Sequence, residues 1–203
     1  MDVKGTRAAQ GQATEKALRY HAQRLFAHKG YADATTNEVV RRARVTKGAL
    51  YHHFSNKLEL YRAVVEDLER DFLAKVEAAA GTQRDPWERL RAMCRKYLDA
   101  CLDPTVARIL MLEAPVVLGW KVWCDTAHDH EVAAFARCIR DAVAAGLVRE
   151  QWAETMAQVI QTGLHTAGRV IATAPDPATA RAQVEETMGR LLTGFRTPAE
   201  RRV

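Results

Sequence analysis

The chain has 203 residues, of which 48% are hydrophobic and 27% charged, and it carries a formal net charge of +5. This composition is that of a globular protein. No apolar run reaches the ~20 residues that a membrane helix needs, and residues 1–12 lack the apolar stretch of a signal peptide. Membrane and secreted classes are therefore excluded at this stage, and a cytoplasmic protein is expected.

The predicted elements are all helices. After a flexible arm over residues 1–12, helical periodicity runs over residues 18–30 and stops at the glycine that ends this range. Thr35 and Glu38 form a capping box that opens a short helix. After a short break, Thr46 is placed to cap a second short helix.

The rest of the chain also has helical periodicity. A long helix is expected from Asn56, and residues 81–85 are the clearest linker. Three later helices are expected to begin at an Asp-Pro pair, because Asp accepts hydrogen bonds from the free amides of a first helical turn and Pro has no amide to leave unpaired there. The three pairs are Asp85-Pro86, Asp103-Pro104 and Asp176-Pro177.

The charge is unevenly distributed. Residues 1–62 contain 12 Lys and Arg against 5 Asp and Glu, a charge of +7, whereas residues 63–203 contain 18 against 20, a charge of −2. A basic first third on a near-neutral body indicates contact with a polyanion, although a solvated basic surface has the same composition.

The two short helices have the spacing of a helix-turn-helix, in which the second helix lies in the major groove of DNA. Gly48 and Ala49 are small enough for close approach to bases. Lys47, Tyr51 and His52 supply donors and an aromatic body. Lys57 lies at the start of the next helix, where its charge suits a phosphate contact.

Three runs of sequence carry a family resemblance: residues 35–40, 45–54 and 56–60. Together with Phe26 and Gly30 they closely resemble the signature of TetR/AcrR-type regulators over about residues 13–65. The resemblance implies an all-α fold with two domains. A small three-helix helix-turn-helix DNA-binding domain over 13–55 precedes a larger helical effector-binding and dimerisation domain over 56–203, and the helix from 56 links the two.

The resemblance also implies site residues. One position departs from the family pattern: Arg44 stands where a turn glycine is usual, so either the turn is altered or Arg44 adds a phosphate contact. Leu50 and Phe54 are expected in the core, and the aromatic run around them could also be an ordinary packing patch. The expected DNA-contacting residues are Thr36, Arg44, Thr46, Lys47, Gly48, Ala49, Tyr51, His52 and Lys57.

A small-molecule cavity in the second domain is implied by the same resemblance. Its candidate walls are large apolar side chains, each of which could equally be core. Glu113 interrupts an apolar run, so it must be paired, exposed at a helix end or directed into a polar cavity. The candidates are Trp87, Met93, Tyr97, Met111, Glu113, Trp120, Trp123, Phe135 and His165.

The last two helices carry long apolar faces that could form half of a four-helix bundle in a homodimer, or could simply close their own domain. The predicted interface consists of Trp152, Met156, Ile160, Gly163, Leu164, Ala167, Val184, Met188, Leu191, Leu192 and Phe195.

The function predicted is regulation of transcription by a homodimer that binds double-stranded operator DNA and is released by an unknown small molecule. An effector-independent architectural protein and, less favoured, an all-α enzyme or carrier are the alternatives. No Ser-His-Asp set or Gly-rich phosphate loop is present, so no enzyme and no cofactor are predicted. No metal site is predicted either, because the His-rich run at 124–131 also suits an ordinary polar helix start.

Overall fold

The computed structural model describes residues 3–81, 83–123, 129–148 and 153–196, and within them the fold is all-α, as predicted. Eleven α-helices and one π-helical segment occur in these residues. They are α1 (Val3–Asp33), α2 (Thr36–Ala43), α3 (Lys47–His53), α4 (Lys57–Gly81), α5 (Pro86–Ala100), α6 (Pro104–Val106), the π segment (Ala107–Glu113), α7 (Ala114–Val117), α8 (Trp120–Trp123), α9 (Asp129–Ala144), α10 (Ala153–Thr173) and α11 (Pro177–Thr193).

Local sequence explains where several helices begin. Thr35 and Glu38 form the expected capping box at α2, and Thr46 Oγ1 accepts the amide of Ala49 (3.1 Å) at α3. Each Asp-Pro pair begins a helix, with the aspartate accepting a first-turn amide; Asp85, for example, accepts that of Glu88 at 2.9 Å. These caps confirm the predicted starts, because each satisfies amides that no preceding turn can bind.

The first helix is longer than expected. Residues 3–12, predicted to be part of a flexible arm, continue α1 as regular helix. Alanine and glutamine, which are good helix formers, dominate residues 8–12, and the one glycine within these five residues, Gly11, is a modest penalty in a helix of 31 residues. The helix breaks at Gly30, whose backbone has φ 82° and ψ 168°.

The first three helices form a small domain around the apolar faces of α1 and α3. Leu18, Phe26 and Leu50 are buried there, together with Phe54 just after α3. Buried residues of α4 extend the same core into the second domain, so α4 belongs to both. Such a continuous core can transmit a displacement from one domain to the other.

The second domain packs α4, α9, α10 and α11 around α5, with the π segment lying between α1 and α10. Gly168 of α10 permits this approach, because a Cβ there would lie 2.6 Å from Met111 Sδ and 2.9 Å from Cys101 Sγ. Cys94, Cys101 and Cys138 are buried and free, while Cys124 lies outside the described residues. In the part of the chain described, no helix has the length and apolar character of a membrane span.

Candidate DNA-binding surface and effector cavity

One face of α3 is exposed and carries the groups expected to meet DNA. Lys47, Gly48, Tyr51 and His52 lie on it, while Leu50 faces the core. The Lys47 ammonium lies 5.9 Å from the centre of the Tyr51 ring, so cation and aromatic body share one surface. A helix that is anchored on one face and open on the other has the form that enters a major groove.

The remaining predicted DNA contacts surround this face. Arg44 and Thr46 are exposed in and after the turn, Thr36 is half-buried at the start of α2, and Ala49 is half-buried on α3. Lys57 differs from the expectation of a free phosphate ligand. Its ammonium donates to the Ala32 carbonyl (3.0 Å) and lies 4.4 Å from the centre of the Tyr31 ring, so it also fixes the end of α1 against α4.

The turn between α2 and α3 has the geometry that a glycine would suit. Arg44 has φ 55° and ψ 40°, the left-handed conformation, and the Val45 amide donates to the Val40 carbonyl at 3.1 Å. This pattern closes many helices and favours glycine at the left-handed position. The turn is therefore retained, with arginine accommodated in a strained conformation.

Replacing Arg44 by glycine is expected to raise the free energy of unfolding by about 0.5–1 kcal/mol, because the left-handed penalty of a side chain is removed. Urea unfolding of the two proteins measures the change. Arg42→Gly is the matched control: this exposed position inside α2 is helical, so glycine there costs about 1 kcal/mol. A loss of stability in Arg44→Gly would contradict the assigned strain.

Glu113 joins the two domains. Its Oε2 atom accepts the amide of Tyr31 (2.9 Å), and its Oε1 atom fills the space over Gly30, where a Cβ would lie 2.6 Å away. Arg108 at the other end of the π segment donates to the His28 carbonyl (3.0 Å). Glu113 is thus paired against α1, one of the three settings that the sequence left open, and does not face the cavity.

A cavity of about 370 Å³ lies between the π segment, α7, α8 and α10. Of the predicted walls, Met111, Trp123 and His165 line it, and the Trp123 and His165 rings lie 4.5 Å apart. Its volume suits a small organic molecule. Gln161, Leu112, Pro115 and Val116 also line it, with Thr162, Thr166 and Arg169 at exposed positions.

Other predicted walls of the cavity are core residues. The structure buries Trp87, Met93, Tyr97 and Phe135 among α4, α5 and α9, and none of them lines this cavity. Burial in the core was the alternative given for each of these residues, because large apolar side chains on helices usually belong to the core. The side chain of Trp120 lies outside what the structure describes.

A buried polar group beside the cavity is absent from the site residues predicted from the sequence. Gln161 is 1% exposed, and its Nε2 atom donates to Glu131 Oε2 at 2.7 Å. Burial raises the pKa of Glu131 to about 7, and the Gln161 hydrogen bond lowers it in part. The spacing of Ala157, Gln161 and His165 on one helix face was the signal for this group, because it places two polar residues on the buried stripe of α10.

The predicted dimer interface is only partly a surface. Six of its residues face the chain's own core, which corrects their assignment to a contact with a partner: Met156, Ile160, Leu164, Ala167, Met188 and Leu192. Gly163 serves the same internal packing, since a Cβ there would lie 3.3 Å from Met188 Cε. Val184 and Phe195 are half-buried, Leu191 is 59% exposed, and Trp152 lies outside the described residues.

A second stripe on α10 remains open. Val159, Thr162, Thr166 and Val170 are exposed and follow one another at helical spacing, and Leu191 of α11 is exposed as well. The described residues contain no group of three or more His, Cys, Asp or Glu placed to hold a metal ion. Residues 124–128 of the His-rich run are not described.

Comparison with known proteins agrees with this arrangement. Residues 21–64 match the family described as "Bacterial regulatory proteins, tetR family", and residues 87–195 match "Tetracyclin repressor-like, C-terminal domain". A crystal structure of a TetR-family transcriptional regulator from Pectobacterium atrosepticum is 32% identical and superposes with a TM-score of 0.83, covering 93% of this chain and 97% of that one.

Curated relatives match over shorter stretches. The transposon Tn10 TetC protein of Escherichia coli is 32% identical over 60% of this chain and 61% of its own length. The HTH-type transcriptional activator FasR of Mycolicibacterium smegmatis is 40% identical over 38% of this chain and 36% of its own length. The chain thus spans less than two thirds of these relatives. With both domain models matched and the fold shared over nearly its whole length, the chain belongs to the TetR family of transcriptional regulators.

Proposed function

We propose that this protein is a homodimeric, effector-responsive repressor that binds a near-palindromic operator through α3. The observation that carries the proposal is the exposed face of α3, with Lys47, Tyr51 and His52 on a helix whose other side is locked by Leu50. The positive charge of residues 1–62 supports it, because phosphate neutralisation supplies much of the affinity for DNA. In this proposal residues 13–55 form the DNA-binding domain, residues 56–203 form the effector-binding domain, and the protein acts in the cytoplasm.

The dimer is assigned to the open stripe of α10 and α11. Val159 and Leu191 expose more than half of their surface, and Val170 nearly half, which favours burial against a second copy. A twofold arrangement of the same helices would form a four-helix bundle. It would present two copies of α3 to half-sites about one DNA turn apart, ~34–36 Å or somewhat more.

A route for the effector response follows from the position of the π segment. Met111 lines the cavity, and two residues later Glu113 accepts the Tyr31 amide at the end of α1. The Tyr31 ring contacts both Tyr61 and Lys57 of α4. A ligand that displaces the π segment would therefore shift the position of α3, provided that it binds the non-operator conformation more tightly.

Fluorescence anisotropy with the protein's own promoter DNA, against random duplex over a salt series, tests the proposal. A specific regulator is expected to prefer the promoter by at least ~10³-fold. Equal, steeply salt-dependent binding to both would instead favour an architectural protein, and no binding to either would favour a carrier or an enzyme.

Tyr51→Ala is expected to weaken operator binding by about 1–2 kcal/mol, roughly fivefold to thirtyfold, without loss of thermal stability. Tyr51 is 45% exposed, so its removal leaves no cavity in the core. Leu102→Ala, which truncates a similarly exposed side chain in the second domain, is the control and is expected to bind normally. Normal affinity in Tyr51→Ala would contradict the assignment of α3.

A further inference from the structure

Two carboxylates of the second domain, one buried and one half-buried, have no basic partner among the described residues. Glu131 of α9 is 7% exposed, and its one hydrogen bond within the described residues comes from Gln161. Glu69 of α4 is half-buried and has neither a hydrogen bond nor an ion pair in the same part of the chain. Burial, followed by the negative charges of Glu131 and Glu66, raises the pKa of Glu69 to about 9. Buried acids are normally paired with cations or with several donors, whereas among the described residues Glu131 has one neutral donor and Glu69 has none.

Gln161 connects this acidic pair to the cavity. Its nitrogen is bound to Glu131, and its oxygen, Oε1, is buried and accepts no hydrogen bond from any described residue. A buried acceptor without a donor is rare in folded proteins, so a donor from outside the chain, either water or a ligand, is expected at this atom. Because Gln161 lines the cavity, the missing donor can come from a molecule bound there.

We propose that the cavity selects an organic cation, a protonated amine on an apolar body, with its N–H groups directed at Gln161 Oε1 and its charge facing the Glu131 carboxylate. This inference rests on the effector response proposed above. It is supported by the position of Glu131 in the first turn of α9, where the helix dipole favours the carboxylate. Trp123 and Met111 supply the apolar walls, and an aromatic face also attracts a cation.

The charged groups around the site do not reverse this preference. Tyr97 of α5 is buried, and its pKa is raised by burial and then by the charge of Glu131, so it stays neutral. Cys101 is also kept as a thiol, because burial and Glu131 raise its pKa to about 12. Arg169 lies at the exposed mouth, where solvent screens its charge.

Three probes of similar shape test the proposal: 2-phenylethylamine, 2-phenylethanol and phenylacetate, which are cationic, neutral and anionic near neutral pH. Binding to the full-length protein is measured by quenching of tryptophan fluorescence and by isothermal calorimetry. The amine is expected to bind at least tenfold more tightly than the acid. Glu131→Gln is expected to remove most of that preference and to leave binding of the alcohol unchanged, while Glu186→Gln on the exposed face of α11 retains it.

Equal binding of the three probes, a preference for the acid, or charge selectivity that survives in Glu131→Gln would overturn the inference. So would the absence of amine binding up to about 10 mM, the weakest affinity expected of so small a ligand. The operator assay is separate. If the protein binds its operator specifically and only uncharged ligands release it, the cation proposal is wrong and the proposed regulatory function stands. If the protein binds the amine selectively but binds no DNA, the regulatory function is wrong and the cation site stands.

Discussion

Replacing Gly30 by alanine is expected to lower the free energy of unfolding by about 2–4 kcal/mol. At φ 82° and ψ 168°, Gly30 occupies a backbone region that is essentially closed to other residues, a strain of roughly 1–3 kcal/mol. The new Cβ would also lie 2.6 Å from Glu113 Oε1, so the carboxylate must move and its hydrogen bond to the Tyr31 amide is weakened. Urea unfolding monitored by circular dichroism measures the loss.

Two further variants separate the causes. Gly11→Ala lies in the same helix, and its Cβ would meet only His53 Cε1 at 4.0 Å, so it is expected to stabilise by about 0.5–1 kcal/mol. In a Glu113→Ala background the steric part of the Gly30→Ala penalty disappears and the backbone part remains. A Gly30→Ala variant as stable as the parent would mean that α1 does not break as described.

Glu131→Gln is expected to stabilise the unliganded protein by about 2–4 kcal/mol at pH 8 and to have little effect near pH 5. Burial raises the pKa of Glu131 from 4.5 to about 7. The folded protein therefore holds this proton more tightly than the unfolded chain, and stability falls as pH rises between these two values. Glutamine has nearly the same shape as glutamate but carries no charge to desolvate. The variant therefore does not show the decrease in stability that ionisation of Glu131 causes between these pH values.

Urea unfolding at intervals from pH 5 to pH 9 measures the effect. Glu69, with a pKa raised to about 9, continues to lower stability at higher pH in both proteins. Glu186→Gln is the control, because among the described residues this exposed carboxylate pairs with its helical neighbour Arg190 alone, so the pH profile should stay unchanged. Parallel profiles for the parent and Glu131→Gln would show that Glu131 is not buried as a charge. A buried carboxylate that destabilises the unliganded protein, as expected of Glu131, is consistent with a group that binds a cationic ligand.

Much of the fold could be predicted because its signals are local. Capping by Thr35, Thr46 and the three Asp-Pro pairs depends on residues within one turn, and so does the helical periodicity between them. The exposed face of α3 was also predictable, because helical spacing places Leu50 on one side of the helix and the polar residues around it on the other. The family resemblance marked Arg44 as standing at a turn-glycine position but left the turn geometry open, and the structure shows the left-handed conformation there.

The dimer face shows where periodicity fails. Helix α10 has apolar residues on two stripes, one through Ile160, Leu164 and Ala167 and the other through Val159 and Val170. Spacing identifies both stripes, but only the packing of α11 and the π segment decides which of them faces the core. The prediction selected the stripe that the chain buries itself.

The sequence by itself determined the helices, their caps, the helix-turn-helix and the family, because each depends on neighbours within a few residues or on a contiguous motif. Only the tertiary structure decided that Glu113 binds the Tyr31 amide, 82 residues away, and that Gln161 joins Glu131 to a cavity. Whether a polar residue in an apolar helix is a link, a ligand site or a surface group depends on what packs against it. That information resides in contacts between distant segments, which no local pattern encodes.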